Sequence, residues 1–513
     1  MTAGADTAPT AQANERESMG HSMQTEDLAR TESAASLVGR IRRKEISPVE
    51  VVDTAIARIE KHNPKINALI IFGFDEARKA AKEAEAAIMR GDKVGALHGL
   101  PYAMKDCFDF KRGWVTTFGG IRALKNYVVD TCCVFVERME QAGAITVGKT
   151  NSPVFGFRGT CDNYMYGPSR NPFDLSKNTG GSSGGSAGAV AAGLLPLCEG
   201  TDGGGSIRIP SSWCGVFGYK PSFGRVPFAG RPNAFGGTAP FLFEGPITRT
   251  VEDTALAMSA LAGYDSRDPY SVEGSVDFMA ALRGSVKGKT IAYTRDYGIF
   301  PVDPRVTAVV DKAVKAFEEA GARVEEVKID IRRSQRELSD IWCRFISVMQ
   351  VAALEGFKRQ GIDLKRDHHD DLPPEVWHWD EIGRSMTATQ YLSDQVVRSE
   401  VFHALRAVLD RYDFLVSPTL ACLAVDNAKD GNTVGPREIN GEAIDPLIGW
   451  CMTYLINYTG NPAATVPAGL AENGLPVGMQ IVGRRYADAD VIAASATFEK
   501  LRPWMETYKR CKL

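Results

Sequence analysis

Glycine and serine are concentrated in one segment, residues 178–206, which contains ten glycines and four serines and reads NTGGSSGGSAGAVAAGLLPLCEGTDGGGS. Flexible linkers have a similar composition, but a linker does not enclose an apolar helix, predicted at Ala187–Leu194, and a strand, predicted near Leu195–Cys198. The two glycine–serine turns therefore belong to a folded interior, where glycine permits close backbone approach. Such turns direct several N–H groups at one point, which is how an oxyanion is stabilised.

Helical and strand-like patterns alternate along the rest of the chain. Helices are predicted at Val134–Ala142 and Pro304–Ala320, and strands at Ala144–Gly148, Thr290–Tyr293 and Ala322–Val327. This alternation predicts an α/β fold with a parallel or mixed sheet and helices on both faces. A disordered tail is expected at Met1–Asp27, followed by one domain over residues 28–513, since no linker divides the chain.

Charge and cysteine usage exclude several classes of protein. The net charge is −3 and the pI is about 6.2, so no nucleic-acid partner is expected. No apolar run approaches the roughly 20 residues of a membrane span. Ten cysteines without a C-x-x-C pair favour reduced thiols and a cytoplasmic location. The adjacent His368 and His369 point apart on a helix or strand, so no metal and no cofactor are expected.

Two short motifs compete with this interpretation. Gly184–Gly188 fits the nucleophile elbow G-x-S-x-G, but no strand precedes it and the last histidine is His403, far from the C-terminus. Residues 143–150 (GAITVGKT) match the P-loop pattern, yet AITV is typical of a strand and Asn151-Ser152-Pro153 interrupts the helix that should follow. Both matches are interpreted as coincidental.

A third interpretation uses both glycine turns. Ser206 follows three consecutive glycines whose N–H groups can surround a reaction centre. No histidine lies nearby in sequence, and a lysine made neutral by burial is one candidate for the base. A buried lysine needs polar partners, and the serines of GGSSGG can connect it to the nucleophile.

These motifs resemble the amidase signature family. The resemblance rests on GGSSGGSAGAVAAG, GTDGGGSIRIPSSWCGVFGYKP, LHGLPYAMKDCFD and NYTGNPAATVPAGLAENGLPVGMQIVG, and it extends from about Thr31 to Tyr508. It implies a single large mixed sheet flanked by helices on both faces, with a variable helical segment around residues 335–400 that shapes the substrate pocket. It also implies amide hydrolysis through a serine acyl-enzyme.

The resemblance assigns roles to individual residues. The catalytic triad falls on Ser206, Ser182 and Lys105, with Ser182 preferred over Ser183 because the bridging serine of the family precedes the nucleophile by 24 positions. A cis peptide bond is implied before Ser182. The oxyanion hole is implied at Gly203, Gly204, Gly205 and Ser206, and supporting roles at Ser183, Asp202 and Arg208. Gly203 departs from the Thr or Ile often found at that position, which a backbone donor tolerates.

The substrate is less constrained. Aromatic and apolar residues predicted to line the pocket are Phe157, Phe345, Met349, Trp377, Trp379, Trp450 and Tyr454. The segment INGEAIDPLIGWCMTYLINYTGNPAA resembles bacterial aryl-acylamidases and relatives that cleave urethanes or nylon oligomers. This favours a stand-alone amidase, active on small aryl or alkyl amides and also on carbamates and esters. The alternative is the amidase subunit of a tRNA-dependent amidotransferase. A homodimer is expected by analogy.

Overall fold

The computed structural model of the chain describes residues 32–230 and 232–513. The tail predicted at Met1–Asp27 lies outside the described residues. No helix within those two ranges combines the length and apolar character that a membrane crossing requires.

The described residues form sixteen α-helices, which are numbered in chain order. They are α1 Ala34–Arg42, α2 Pro48–Ile66, α3 Phe74–Arg90, α4 Val134–Gln141, α5 Gly184–Ala191, α6 Arg208–Cys214, α7 Val251–Leu261, α8 Phe278–Ala281, α9 Pro304–Ala313, α10 Lys315–Glu319, α11 Gln335–Arg359, α12 Leu364–Asp367, α13 Pro374–Ser385, α14 Ala388–Leu409, α15 Tyr454–Thr459 and α16 Asp488–Leu501. The segment around residues 335–400 is therefore mostly helical. The helix predicted at Pro304–Ala320 is divided into α9 and α10.

The strands are β1 Leu69–Phe72, β2 Pro101–Lys105, β3 Ile145–Thr150, β4 Arg170–Asn171, β5 Asp174–Asn178, β6 Leu197–Asp202, β7 Phe217–Lys220, β8 Phe243–Thr248, β9 Thr290–Tyr293, β10 Arg323–Glu326, β11 Phe414–Pro418, β12 Glu438–Ile439, β13 Glu442–Ala443, β14 Ala463–Leu470 and β15 Pro476–Gly483. Within the described ranges, eleven of them form one sheet in the order β1-β3-β2-β6-β8-β7-β14-β15-β11-β9-β10. β2 pairs in parallel with β3 and β6, whereas β8 pairs antiparallel with β6 and β7. The predicted mixed α/β sheet is confirmed.

Helices cover both faces of this sheet, as glycines in β15 illustrate. A Cβ on Gly478 would meet Ser212 of α6, whereas a Cβ on Gly483 would meet Val491 of α16. Side chains an odd number of positions apart in a strand point to opposite faces. Residues 145–150 of the P-loop-like motif form β3, and Lys149 and Thr150 are buried there, so the motif forms no phosphate-binding loop.

The glycine–serine segment lies at the centre of the molecule. Its helix α5 is entirely buried, and it begins three residues earlier than predicted. A Cβ on Gly185 would lie 2.4 Å from the carbonyl oxygen of Ala68 and from the amide nitrogen of Asn151. Small residues therefore let the helix backbone approach its neighbours more closely than side chains would permit.

A buried ion pair joins the end of this segment to the C-terminal strands. Arg208 donates from Nε and Nη2 to the two carboxylate oxygens of Asp202, each over 2.9 Å, and from Nη1 to the carbonyl oxygen of Thr453 over 3.0 Å. Nη1 also bonds Gln480 of β15, and Nη2 bonds Asn457 of α15. Burial opposes a charge on Asp202, but the guanidinium outweighs it and holds the pKa of the carboxyl below its usual value.

We expect Arg208→Met to lower the free energy of unfolding by about 3–5 kcal/mol, because it leaves a buried carboxylate without its partner. Chemical denaturation of the full chain measures the change. Arg295→Met is the control: Arg295 pairs with Asp311 and Glu326 at the surface, and its loss should cost less than about 1 kcal/mol. Equal losses in the two variants would contradict a structural role for Arg208.

Candidate active site

Lys105 ends β2 and is fully buried. Its Nζ donates to Ser182 Oγ over 2.6 Å and to Thr201 Oγ1 over 2.6 Å. The buried amine therefore has two hydroxyl groups as hydrogen-bond acceptors. Burial of a polar group without such partners would be energetically costly. Ser182 was predicted for this position, whereas Thr201 was missed, although it directly precedes the Asp202 turn.

Ser182 follows a cis peptide bond, as the family resemblance implied. Ser183 joins the two glycine–serine turns, because its amide donates to the carbonyl oxygen of Ser206 over 3.2 Å and its Oγ accepts from the amide of Thr201 over 3.2 Å. Ser183, for which a supporting role was predicted, therefore holds its own glycine–serine turn at a fixed distance from the turn that contains Ser206.

Ser206 lies two residues before the start of α6. Its side chain lines a cavity that Ser182 also lines. Among the described residues, the Ser206 hydroxyl has no hydrogen-bond partner, so the Ser182–Ser206 link is not formed in this structure. Catalytic hydrogen bonds are often longer in substrate-free enzymes and shorten in the complex. The hydroxyl is free to approach a carbonyl carbon in the cavity.

The backbone of residues 203–206 presents N–H groups beside Ser206. Within the described ranges, the amides of Gly203, Gly204 and Ser206 have no acceptor, whereas the Gly205 amide donates to Asp202 Oδ1 over 2.8 Å. The four-donor oxyanion hole predicted from the sequence is therefore corrected to three free donors. Gly205 instead shapes the turn, with φ at 124° and a Cβ position 2.0 Å from Thr453 Oγ1.

Trp342 of α11 lines the cavity and contacts the turn formed by residues 203–206. Its indole Nε1 donates to the carbonyl oxygen of Gly203 over 2.9 Å. A Cβ on Gly204 would lie 2.7 Å from the same ring. The turn and the tryptophan therefore fit each other closely, and Trp342 was missed in the sequence.

The cavity has a volume of about 160 Å³ and is lined by Cys107, Phe108, Phe155, Gly156, Ser182, Thr201, Asp202, Gly203, Gly204, Ser206, Phe228, Leu242, Phe243, Trp342, Ile346, Met349, Gln350 and Ala353. Most of the wall away from the turn is aromatic or aliphatic. A more open cavity of about 460 Å³ lies beside Cys422 and Asn440 and contains none of the predicted site residues.

Of the seven pocket residues predicted, Met349 lines the cavity and the other six do not. Phe157, Phe345, Trp377, Trp379, Trp450 and Tyr454 are placed in the core or against other helices. Trp450 stacks on Trp213 at 4.7 Å, and Trp377 stacks on His369 at 4.8 Å. Phe345 contacts Tyr391 and Tyr458. The prediction was wrong for these six because large aromatic side chains are more often buried in a core than exposed to a pocket.

Helical periodicity is the signal that could have found the correct wall. The residues of α11 that face the cavity are Trp342, Ile346, Met349, Gln350 and Ala353. They follow the spacing of one helix face, and Phe345 lies outside that stripe. Phe345 is aromatic but lies on another face of α11, so its side chain packs against Tyr391 and Tyr458 instead of the cavity.

Three buried acids lie behind Lys105. The register of β6 and β8 pairs Thr201 with Glu244, so both side chains are on one sheet face, and Glu199 shares that face two residues away. Glu199 Oε2 accepts from the backbone amide of Lys105 over 2.7 Å. In the described part of the chain, both carboxylate oxygens of Asp109, Glu199 Oε1 and Glu244 Oε2 have no hydrogen-bond partner.

Burial raises the pKa of Asp109 to about 6, and it raises the pKa of Glu199 and of Glu244 well above the usual value, with the neighbouring acids adding to the effect. The positive charges of Lys105 and Lys149 limit the rise in the pKa of Asp109. Asp109, Cys133 and Glu244 have ligand atoms within 4.8 Å of one another and are the described residues that could hold a metal ion.

We expect Trp342→Phe to lower kcat by about 10- to 100-fold, because the turn at residues 203–206 loses the hydrogen bond to Gly203 and small displacements of reacting groups are costly. Stability should fall by only about 1 kcal/mol, the value of one hydrogen bond. Steady-state kinetics and thermal unfolding measure the two effects. Trp379→Phe is the matched control away from the cavity, and an equal loss of kcat there would contradict the role of Trp342.

We expect Asp109→Asn to stabilise the protein above pH 6. The folded chain keeps the Asp109 proton up to a pKa of about 6, whereas the unfolded chain loses it near 3.8, so the stability of the parent protein falls as pH rises between these values. Asparagine cannot ionise, so the gain should approach about 3 kcal/mol above pH 6 and vanish below pH 4. Melting temperatures at pH 4 and pH 8 test this, and a pH-independent difference between the proteins would contradict it.

Comparison with known proteins gives consistent matches along the chain. A family model described as Amidase matches residues 50–492. An acylamidase from Rhodococcus erythropolis is 37% identical over 483 residues, covering 93% of this chain and 96% of that protein. A glutamyl-tRNA(Gln) amidotransferase subunit from Geotalea daltonii is 32% identical over 483 residues, covering 91% and 96%.

Solved structures give the same result. A bacterial aryl acylamidase of the amidase signature family superposes with a TM-score of 0.93 at 49% identity, covering 94% of this chain and 98% of that chain. The 6-aminohexanoate cyclic dimer hydrolase superposes with a TM-score of 0.82 at 27% identity, covering 93% and 98%.

Proposed function

Because the chain belongs to the amidase family and is a hydrolase of carbon–nitrogen bonds, we propose that it is a stand-alone acylamidase that cleaves aryl or alkyl amides through an acyl-enzyme on Ser206. The observation that carries the proposal is the contact of Lys105 Nζ with Ser182 Oγ beside an open Ser206. The similarity to an acylamidase and to an aryl acylamidase supports this substrate class.

In the proposed first step, Lys105 in its neutral form accepts a proton from Ser182, which accepts one from Ser206 as its Oγ attacks the carbonyl carbon. The free amides of Gly203, Gly204 and Ser206 stabilise the oxyanion. The relay then returns a proton to the leaving amine, and the carbon–nitrogen bond breaks. Water attacks the acyl-enzyme in the second step and releases the acid.

The alternative, a component of an amidotransferase, is less well supported. The amidotransferase subunit from Geotalea daltonii is less similar to the chain, at 32% identity, than the acylamidase from Rhodococcus erythropolis is, at 37%. The cavity also offers an apolar wall, whereas no lysine or arginine of the described ranges lines it. An uncharged aryl or alkyl group fits such a wall better than an acidic substrate.

Carbamates and esters are proposed as further substrates, because both acylate a serine through the same addition to a carbonyl. A cytoplasmic location is proposed from the ten free cysteines, among which the described residues form no disulfide. The homodimer stays a prediction that light scattering of the purified chain can test.

We expect Ser206→Ala and Lys105→Ala each to reduce anilide hydrolysis by at least about 10⁴-fold, because the proposed nucleophile or its base is lost. A chromogenic anilide and the matching aryl carbamate are the substrates, and mass spectrometry of the quenched enzyme detects an acyl group on Ser206. Ser186→Ala is the matched control, since Ser186 bonds Thr150 away from the cavity. Full activity in Ser206→Ala would disprove the mechanism, and an inert parent protein would disprove the substrate class.

A further inference from the structure

One buried polar side chain in the cavity wall has no partner. Gln350 of α11 lines the cavity and is 5% exposed. Its amide nitrogen Nε2 is fully buried and has no hydrogen-bond acceptor among the described residues. An unmet buried donor is costly, so such a group in a binding cavity indicates a ligand atom that completes it.

The surroundings of Gln350 are apolar. Its neighbours on the same helix face are Ile346, Met349 and Ala353, and the wall also includes Phe108 and Phe155. The other polar side chains of the described cavity wall belong to the two glycine–serine turns and the adjoining Thr201 and Asp202, to Cys107 and to Trp342, whose indole N–H already donates to Gly203. In a site of this kind a single polar group orients the ligand, whereas the apolar wall supplies most of the binding free energy.

The position of Gln350 along α11 sets a distance. Trp342 contacts the oxyanion turn through the carbonyl oxygen of Gly203, and Gln350 lies eight residues farther along the helix. A rise of 1.5 Å per residue separates the two positions by about 12 Å along the helix axis. Because Trp342 contacts the turn, an acceptor that meets Gln350 lies on the order of 10 Å from the turn, measured along α11.

We infer that Gln350 is a specificity-determining residue that donates a hydrogen bond to a second acceptor on the substrate, such as a carbonyl oxygen on the far side of an aryl ring. The inference rests on the proposed amidase function and narrows its substrate class. Preferred substrates are aryl amides or carbamates that carry a second carbonyl or similar acceptor at this distance, rather than simple alkyl-substituted anilides.

Two acetanilides test the inference, one with a para-acetonyl group and one with a para-isobutyl group. The two groups have nearly the same shape, and a methylene separates each from the ring, so the leaving anilines are similar. The parent enzyme should favour the acetonyl compound in kcat/KM, and Gln350→Leu should shift the ratio about 10- to 100-fold toward the isobutyl compound. Leu354→Met, a volume-conserving change on α11 outside the cavity wall, should leave the ratio within about threefold.

An unchanged ratio in Gln350→Leu, with both anilides hydrolysed, would overturn the role of Gln350 and leave the proposed amidase function intact. Failure of the parent enzyme on both anilides would instead count against the proposed function. In that case, calorimetry with Ser206→Ala and with Ser206→Ala/Gln350→Leu still decides the inference. The inference is supported if Ser206→Ala binds the acetonyl compound more tightly than the isobutyl compound and the double variant does not. It is overturned if the ratio of the two dissociation constants is the same in both variants.

Discussion

The buried pairing of Arg208 with Asp202 is the interaction on which the remainder of the site depends. Asp202 ends β6, an interior strand of the sheet, and accepts from the amide of Gly205, while Arg208 begins α6 and bonds residues of α15 and β15. The turn between them contains Ser206 and its free amides. Because a bidentate guanidinium–carboxylate pair fixes two elements in one orientation, the direction of those amides is set by the fold rather than by the substrate.

A second constraint is the burial of an amine and three acids around one strand face. Lys105 Nζ donates to two hydroxyl groups, and the Lys105 amide donates to Glu199, which has Asp109 and Glu244 as charged neighbours. Charges this deep are expensive, so protons or cations must compensate them. The protonation of these acids is linked, because a charge on Asp109 raises the pKa of both Glu199 and Glu244.

The sequence allowed the α/β fold and the positions of Ser206, Ser182 and Lys105 to be predicted, because glycine turns and the family motifs are local in the chain. The Gly205 amide was assigned wrongly because its partner is a carboxylate three residues away whose direction depends on Arg208. Trp342 and Gln350 escaped prediction because the pocket wall comes from a distant helix. Which face of α11 meets the turn depends on tertiary packing, and amino-acid type alone does not reveal it.

The double contact of Trp342 has a consequence for how this enzyme can diversify. The same indole bounds the substrate cavity and supports the carbonyl of Gly203, so enlarging the cavity at this position also loosens the reaction centre. Ile346, Met349 and Ala353 lie on the same helix face without contacting the turn through a hydrogen bond in the described structure. Variation at those three positions can reshape the accepted substrate while turnover is retained, which makes them the accessible route by which selection or engineering changes selectivity.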